Sequence, residues 1–354
     1  MIPFFGLAKQ YKNLKDELLD ATDQVLNSGN LMNGPFTTKL ETWLALQTGS
    51  SYAITVHSGT QALEIIAQFT KQQWLIVTEE LHPYVYIPNI TYPATLNAFI
   101  NAGFQIELVE TDKNGLIDEA VIKKLPFLHN VVQVGFCGAK TYEANSSHII
   151  DGAQHWLIAD KNSIGLGMAI SFDPTKNLPA SGNGGAILTN DMELYEFATN
   201  YRSNGKPGSH ASSGTNSRMS ELDCSHVLVR SKYINDWQWR RKQIRYYYLE
   251  QFKNLPIRCL SRDFTVHADQ KFAIYTDNRD SLQTYLKNQK IETKIHYSHA
   301  LSELGVSKYT EKKPDLISTS VMLTKGLLSL PIYPELSDSE VEYISTTVKK
   351  FYDK

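Results

Sequence analysis

The sequence predicts an α/β fold: a mostly parallel sheet covered by helices on both faces, followed by a smaller α+β unit. Three observations carry this. Apolar strand-length runs alternate with amphipathic stretches between residues 52 and 189, no internal repeat divides the chain, and its character changes after about Asp223.

Leu14, Leu18, Ala21 and Val25 recur at three- and four-residue steps and predict the first helix. Asn27-Ser28-Gly29 is its stop, since glycine takes the left-handed cap conformation at little cost. A second amphipathic stretch covers residues 37–46. Tyr52–Val56 then predicts a strand, His57-Ser58-Gly59-Thr60 a turn, and residues 62–69 a helix. The alternation continues with strands near 84–87, 105–109 and 131–134 and a helix near 94–102. Residues 148–150 read as a short buried strand directly before Asp151. Strands at 169–172 and 185–189 flank a loop rich in proline and glycine.

A basic, aromatic helix from Arg230 to about Phe252 leads into the smaller unit. That unit reads as a strand at 272–275, a helix at 281–288, a strand at 294–297 and a closing helix. Ser337 and Glu340 form a capping box ahead of Val341, Ile344 and Val348. The boundary falls near residue 245, dividing a large unit (1–245) from a small one (246–354).

Composition narrows the function classes. At 354 residues and 40.0 kDa the chain has room for two or three domains of ~150 residues each. The net charge of −2 favours neither nucleic acid nor an acidic membrane surface. Hydrophobic residues at 42% exclude a disordered chain. Cys137, Cys224 and Cys259 form neither a disulfide framework nor a zinc-site spacing. Residues 81–106 are uncharged, yet Pro83, Pro88, Asn89, Pro93, Asn97 and Asn101 exclude a membrane span. Without a secretory leader at its start, the chain is expected to be soluble, reduced and cytoplasmic. Arg240, Arg241 and Arg245 read as a solvated helix face over a buried stripe of Trp237, Tyr246 and Tyr248, not as a nucleic-acid surface.

Three places have the residue types for chemistry. The Ser58-Gly59-Thr60 turn joins a strand to a helix, where outward-pointing amides and the helix dipole suit a phosphate. Taken alone, an ordinary turn whose Ser and Thr merely cap the helix is the commoner account of it. Asp151 ends an apolar strand, at the edge where open α/β sheets place ligands, or it caps the next turn. Lys176 lies 25 residues further on, between the strand end at Ser171-Phe172 and the bend Gly182-Asn183-Gly184-Gly185. Glycines there permit close backbone approach, though a loop lysine is more commonly a solvated charge. The glycine run lacks the GxGxxG spacing of a dinucleotide site, which excludes a nicotinamide-dependent enzyme.

Taken together, Ser58-Gly59-Thr60-Gln61-Ala62-Leu63, Thr91-Tyr92-Pro93-Ala94-Thr95, Ile150-Asp151-Gly152-Ala153-Gln154, Ser171-Phe172 with Lys176-Asn177, Gly184-Gly185-Ala186 and Gly214-Thr215-Asn216-Ser217-Arg218 resemble the DegT/DnrJ/EryC1/StrS sugar aminotransferases. The resemblance runs from Ile2-Pro3 through Leu328-Ser329-Leu330-Pro331 to the final helix. It implies pyridoxal 5′-phosphate as cofactor and the aspartate-aminotransferase fold (fold type I), whose large domain holds a seven-stranded sheet. It also implies roles. Lys176 condenses with the cofactor aldehyde and moves protons, and Asp151 pairs with the ring nitrogen. Tyr92 stacks on the ring, Gln154 lies near its phenolic oxygen, and Ser58, Gly59, Thr60 and Ser171 hold the phosphate. Asn216 reaches the phosphate of a neighbouring subunit, implying a homodimer with shared sites.

The chain departs from the family in three places. Ile150 precedes Asp151 where many members have Glu, Val132-Gln133-Val134-Gly135 lacks a histidine, and the segment between Phe136 and His148 is short. His155, Asn183, Lys206, His210, His296 and Tyr297 are candidates to approach a nucleotide sugar, or are packing and surface residues. The implied activity is transfer of an amino group from glutamate to C3 or C4 of a nucleotide-linked keto-6-deoxyhexose, without metal. The dehydratase branch replaces the lysine by histidine, and this chain keeps Lys176. The alternative is a non-catalytic regulator of the same fold that binds cofactor and nucleotide sugar.

Overall fold

The computed structural model describes every residue except 80, 81, 118, 126–129, 143, 207–211, 264, 313–317 and 354. Two helices open the chain, α1 (Leu7–Ser28) and α2 (Pro35–Thr48). α1 buries Leu14, Leu18, Ala21 and Val25, and Gly29 ends it at φ 67°. The start of α2 is capped from far along the chain. The buried Glu221 carboxylate accepts the amides of Gly34, Phe36 and Thr37, an anion where the helix dipole favours one.

The alternating part follows as β1 (Tyr52–Val56), α3 (Gly59–Thr78), β2 (Tyr84–Pro88), α4 (Pro93–Ala102), β3 (Gln105–Val109), α5 (Glu119–Ile122), β4 (Asn130–Val134), β5 (His148–Asp151), β6 (Gly167–Ser171) and β7 (Gly185–Thr189). These strands form one seven-stranded sheet in the order β1-β7-β6-β5-β4-β2-β3. β7 is antiparallel to both neighbours, and all other pairs are parallel. Every residue of β4, β5, β6 and β7 is buried, because helices cover both faces. Successive residues of β1 serve opposite cores: Ile54 and Val56 pack with Leu63, Ile66 and Phe99, whereas Ala53 packs with Leu40, Leu44 and Ile170.

Beyond the sheet come α6 (Met192–Tyr201), α7 (Glu221–Ser231), α8 (Ile234–Gln251), β8 (Arg258–Cys259), β9 (Phe272–Tyr275), α9 (Arg279–Asn288), α10 (Thr319–Gly326), β10 (Leu327–Leu330) and α11 (Asp338–Tyr352). β10-β9-β8 is an antiparallel sheet with its own core, in which Tyr248, Phe252 and Phe272 meet Ile344 and Val348. The Ser337–Glu340 capping box starts α11.

Three expectations are corrected. The long helix from Arg230 breaks at Lys232-Tyr233 into α7 and α8. Residues 294–297 are no strand: Lys294 alone forms a bridge, to Ser329. The basic face of α8 is not solvated either. Arg245 is 1% exposed and pairs with the equally buried Asp269 at 2.9 Å, Arg241 is buried against the carbonyl of Ile332, and Tyr246 is the exposed member of the aromatic set. A guanidinium enters a core only with such partners, and Asp269 comes from a loop whose contact the helix pattern cannot reveal. Among the described residues, no helix is long and apolar enough to cross a membrane.

Candidate active site

The end of β1 and the start of α3 build the first part of the site. Ser58 is the N-cap, its hydroxyl accepting the amide of Gln61 at 3.1 Å. Gly59 and Thr60 open the helix, where amides have no partner one turn back. A side chain on Gly59 would place its Cβ 2.9 Å from the Ser171 Cβ, and one on Gly185 would come within 2.5 Å of the Ser58 carbonyl carbon. Glycine at both positions is what lets β6, β7 and the turn close on one another. Behind the turn, the amide of His57 donates to the carbonyl of Ser217 at 2.7 Å.

Asp151 ends β5 and is 7% exposed. Its Oδ2 accepts the hydroxyl of Thr95 at 2.7 Å and its Oδ1 the amide of Ala153 at 3.1 Å. Thr95 sits in the first turn of α4, and its hydroxyl also meets that of Thr91 at 3.0 Å. Among the described residues no cation is in ion-pair contact with this buried carboxylate.

Lys176 follows β6 in a tight loop. Its amide donates to the Asp173 carbonyl, and the Asp173 carboxylate accepts the amide of Thr175 at 2.9 Å. Next to it, Asn177 anchors the loop to Gln238 and to the carbonyl of Ala268. Burial lowers the Lys176 pKa, opposed by the charges of Asp151 and Asp173.

Gln154 completes the cluster. Its Oε1 accepts the amide of Cys137 at 3.0 Å and the ammonium of Lys271 at 3.2 Å, and its amide nitrogen donates to the Tyr297 hydroxyl at 3.4 Å. The Tyr297 ring lies 6.0 Å from that of Tyr92, which is 59% exposed, and 6.2 Å from that of Phe136. Burial raises the Tyr297 pKa, keeping the phenol protonated.

Gln154 and Tyr92 thus both meet Tyr297, the Asp151 charge acts on Lys176, and Ser171 packs against Gly59 in the Ser58-Gly59-Thr60 turn. Asn216 stands apart: it is exposed, its backbone bridges Ser203, and its carboxamide oxygen accepts Arg218. Of the sugar candidates, His155 is 1% exposed, its imidazole filling the space a Gly135 side chain would take, so it packs and cannot meet a substrate. Asn183 and Lys206 are exposed, and His210 lies outside the described residues. His296 holds the Ser329 hydroxyl at 2.9 Å, and burial pushes it down to about 2.

Sequence reasoning assigned no role to Thr95 or Lys271. The Thr91–Thr95 spacing of four on a helix start was the available signal for Thr95. Lys271 gave none, since a lysine ahead of a strand reads as a solvated charge.

The residues fit pyridoxal 5′-phosphate. A buried carboxylate that has no cation in ion-pair contact among the described residues suits a protonated ring nitrogen, and the glycine-lined turn that opens α3 suits a phosphate.

Comparison with known proteins points the same way. The model of the DegT/DnrJ/EryC1/StrS aminotransferase family matches residues 12–141 and 149–349. The dTDP-3-amino-3,6-dideoxy-alpha-D-galactopyranose transaminase of Aneurinibacillus thermoaerophilus is 31% identical over 370 residues, 99% of both chains. A "pleiotropic regulatory protein" of Geobacillus stearothermophilus is 28% identical over 375 residues, 99% of this chain and 98% of that protein. The structure of S. venezuelae DesV in complex with a ketimine intermediate superposes with a TM-score of 0.89 at 25% identity, covering 100% of this chain and 99% of that one.

Proposed function

The chain belongs to the DegT/DnrJ/EryC1/StrS aminotransferase family, and on that premise we propose that it moves an amino group from glutamate to the C3 or C4 keto carbon of a nucleotide-linked keto-6-deoxyhexose, for amino-sugar and polysaccharide biosynthesis. The cofactor is pyridoxal 5′-phosphate, which supplies an aldehyde for the amine and a ring that withdraws electrons from the reacting carbon. The observation that carries the reading is Asp151, buried and hydrogen-bonded, electrostatically coupled to the half-buried Lys176.

The chain's own groups have distinct tasks. Lys176, whose lowered pKa favours the free amine, is the nucleophile and the proton carrier at the substrate carbon. Asp151 holds the proton on the ring nitrogen, and Thr95 keeps the carboxylate aimed. Tyr92 would cover one ring face, and Gln154 would present its amide nitrogen to the ring's oxygen. Ser58, Gly59, Thr60 and Ser171 bind the phosphate.

The active unit of this proposal is a cytoplasmic homodimer in which Asn216 serves the partner's phosphate. The exposure of Asn216 supports it. So do the exposed Leu26, Leu31 and Met32, on a segment that bridges Ser220 four residues beyond. The division near residue 245 into a cofactor-binding unit and a small C-terminal unit belongs to the same reading, supported by the separate core around Tyr248 and Phe272.

Incubation with glutamate and a panel of keto-sugar nucleotides, followed by mass spectrometry, tests the activity. Gain of an amino group on one keto sugar, with release of 2-oxoglutarate, is expected. A regulator would bind the cofactor and leave every sugar unchanged.

A further inference from the structure

Lys271 is 6% exposed, a second lysine in the site beside Lys176. It enters the cluster from the other sheet. It directly precedes β9, and its backbone amide donates to the carbonyl of Cys137 at 3.1 Å. Its ammonium donates to the Gln154 Oε1 at 3.2 Å and to the Gln270 Oε1 at 2.6 Å. Gln270 in turn donates from its amide nitrogen to the carbonyl of Thr175 at 3.1 Å, the residue before Lys176. One connected path therefore runs from the Lys176 loop through Gln270 and Lys271 to Gln154, and on to Tyr297.

A carboxamide can be turned either way, and its neighbours decide which. The Cys137 amide and the Lys271 ammonium are both donors and both meet one end of Gln154, so that end is the oxygen. The amide nitrogen is left facing Tyr297. The Cys137 amide alone is a single neutral donor, whereas the ammonium adds a charge-assisted bond, roughly twice as strong.

We propose that Lys271 is a positioning residue of the transamination site: its buried ammonium fixes Gln154 with the amide nitrogen toward Tyr297 and the cofactor, and its charge acts on Lys176. This rests on the cofactor reading above. The charged and titratable groups around Lys271 are Lys176, Cys137, Asp173, Arg241 and His296. Burial first and then the Lys176 charge push the Lys271 pKa down to about 7. Below that pH Lys271 carries the charge that meets Gln154.

The test uses cofactor-loaded Lys271→Met and Lys271→Gln enzymes, each alone and combined with Gln154→Ala. Lys271→Met is expected to lower kcat about tenfold with little change in the KM for the amino donor, and Gln154→Ala to add little, because the two residues act as a unit. The midpoint of the pH titration of the visible absorbance should rise by about half a unit or more, since a cation that opposes charge on Lys176 is gone. Lys271→Gln keeps a donor but no charge. It should recover much of kcat while keeping the shifted midpoint, and it carries the test if the methionine variant does not fold. Wild-type midpoints in the variants, or losses from Lys271 and Gln154 that multiply, would overturn the inference. Borohydride trapping of the wild type separates the two readings: cofactor not fixed on Lys176 refutes the site, whereas trapping there with unaltered Lys271 variants refutes this inference alone.

Discussion

Thr95 donates its hydroxyl to the Asp151 Oδ2 at 2.7 Å, joining the first turn of α4 to the end of β5. The two elements come from separate βα units, and this bond aims the carboxylate proposed for the ring nitrogen.

Asp151→Asn is expected to retain cofactor while losing on the order of 10³-fold in turnover, as for a charge-assisted bond removed at the reacting ring. Thr95→Val leaves the charge and removes only its orientation, so a loss of about tenfold is expected. Single-turnover rates of the two variants measure both. Near-normal turnover in Asp151→Asn removes that residue from the mechanism.

His155 makes the fold sensitive to acid. Burial pushes its pKa down to about 3 from the ordinary 6.5, so the folded protein holds it neutral where the unfolded chain would protonate it. The stability it contributes is complete above pH ~6.5 and is lost as pH falls toward 3. His155→Leu should therefore flatten the fall in Tm between pH 6 and 4, with His296 retaining part of the slope. An unchanged slope places the acid sensitivity elsewhere.

Glu221 caps α2 through three backbone amides. Glu221→Ala leaves these donors unmet in a buried place, and a loss of about 2–4 kcal/mol is expected from urea unfolding. The absorbance of the loaded enzyme should not change, because among the described residues the hydrogen bonds of the Glu221 carboxylate go to Gly34, Phe36 and Thr37 and to no site residue. A shifted spectrum would tie α2 to the site.

Shared sites predict complementation. Lys176→Ala and Asn216→Asp homodimers should both be inactive, the second because a carboxylate repels the phosphate. Co-refolding places both lesions in one site of each mixed dimer and neither in the other. Activity should return in proportion to the mixed-dimer fraction. Verified mixed dimers without recovery would confine Asn216 to its own chain.

Much of the fold was legible because its signals are local. The Leu14–Val25 stripe, the Ser337–Glu340 box and the apolar runs of β1, β3, β7 and β9 each specify their element within a few residues. The break at Lys232-Tyr233 was hidden, since neither residue stops a helix by propensity. Residues 294–297 carry a strand-like pattern, yet only Lys294 finds a backbone partner. In the site, Asp151 and Lys176 stand at strand ends, where ligands gather. Lys271 and the Arg245–Asp269 pair depend on contacts across units far apart in sequence, and composition assigns such charges to water.

The proposed site requires that Lys176 carry the cofactor. Purified protein should be yellow, and borohydride should bleach it while fixing the cofactor covalently. Peptide mapping of the reduced enzyme is predicted to find the label on Lys176. Lys271 is the physical rival, being buried, pushed down to about 7 and in the same cluster. A label on Lys271, or on any other lysine, would contradict the account.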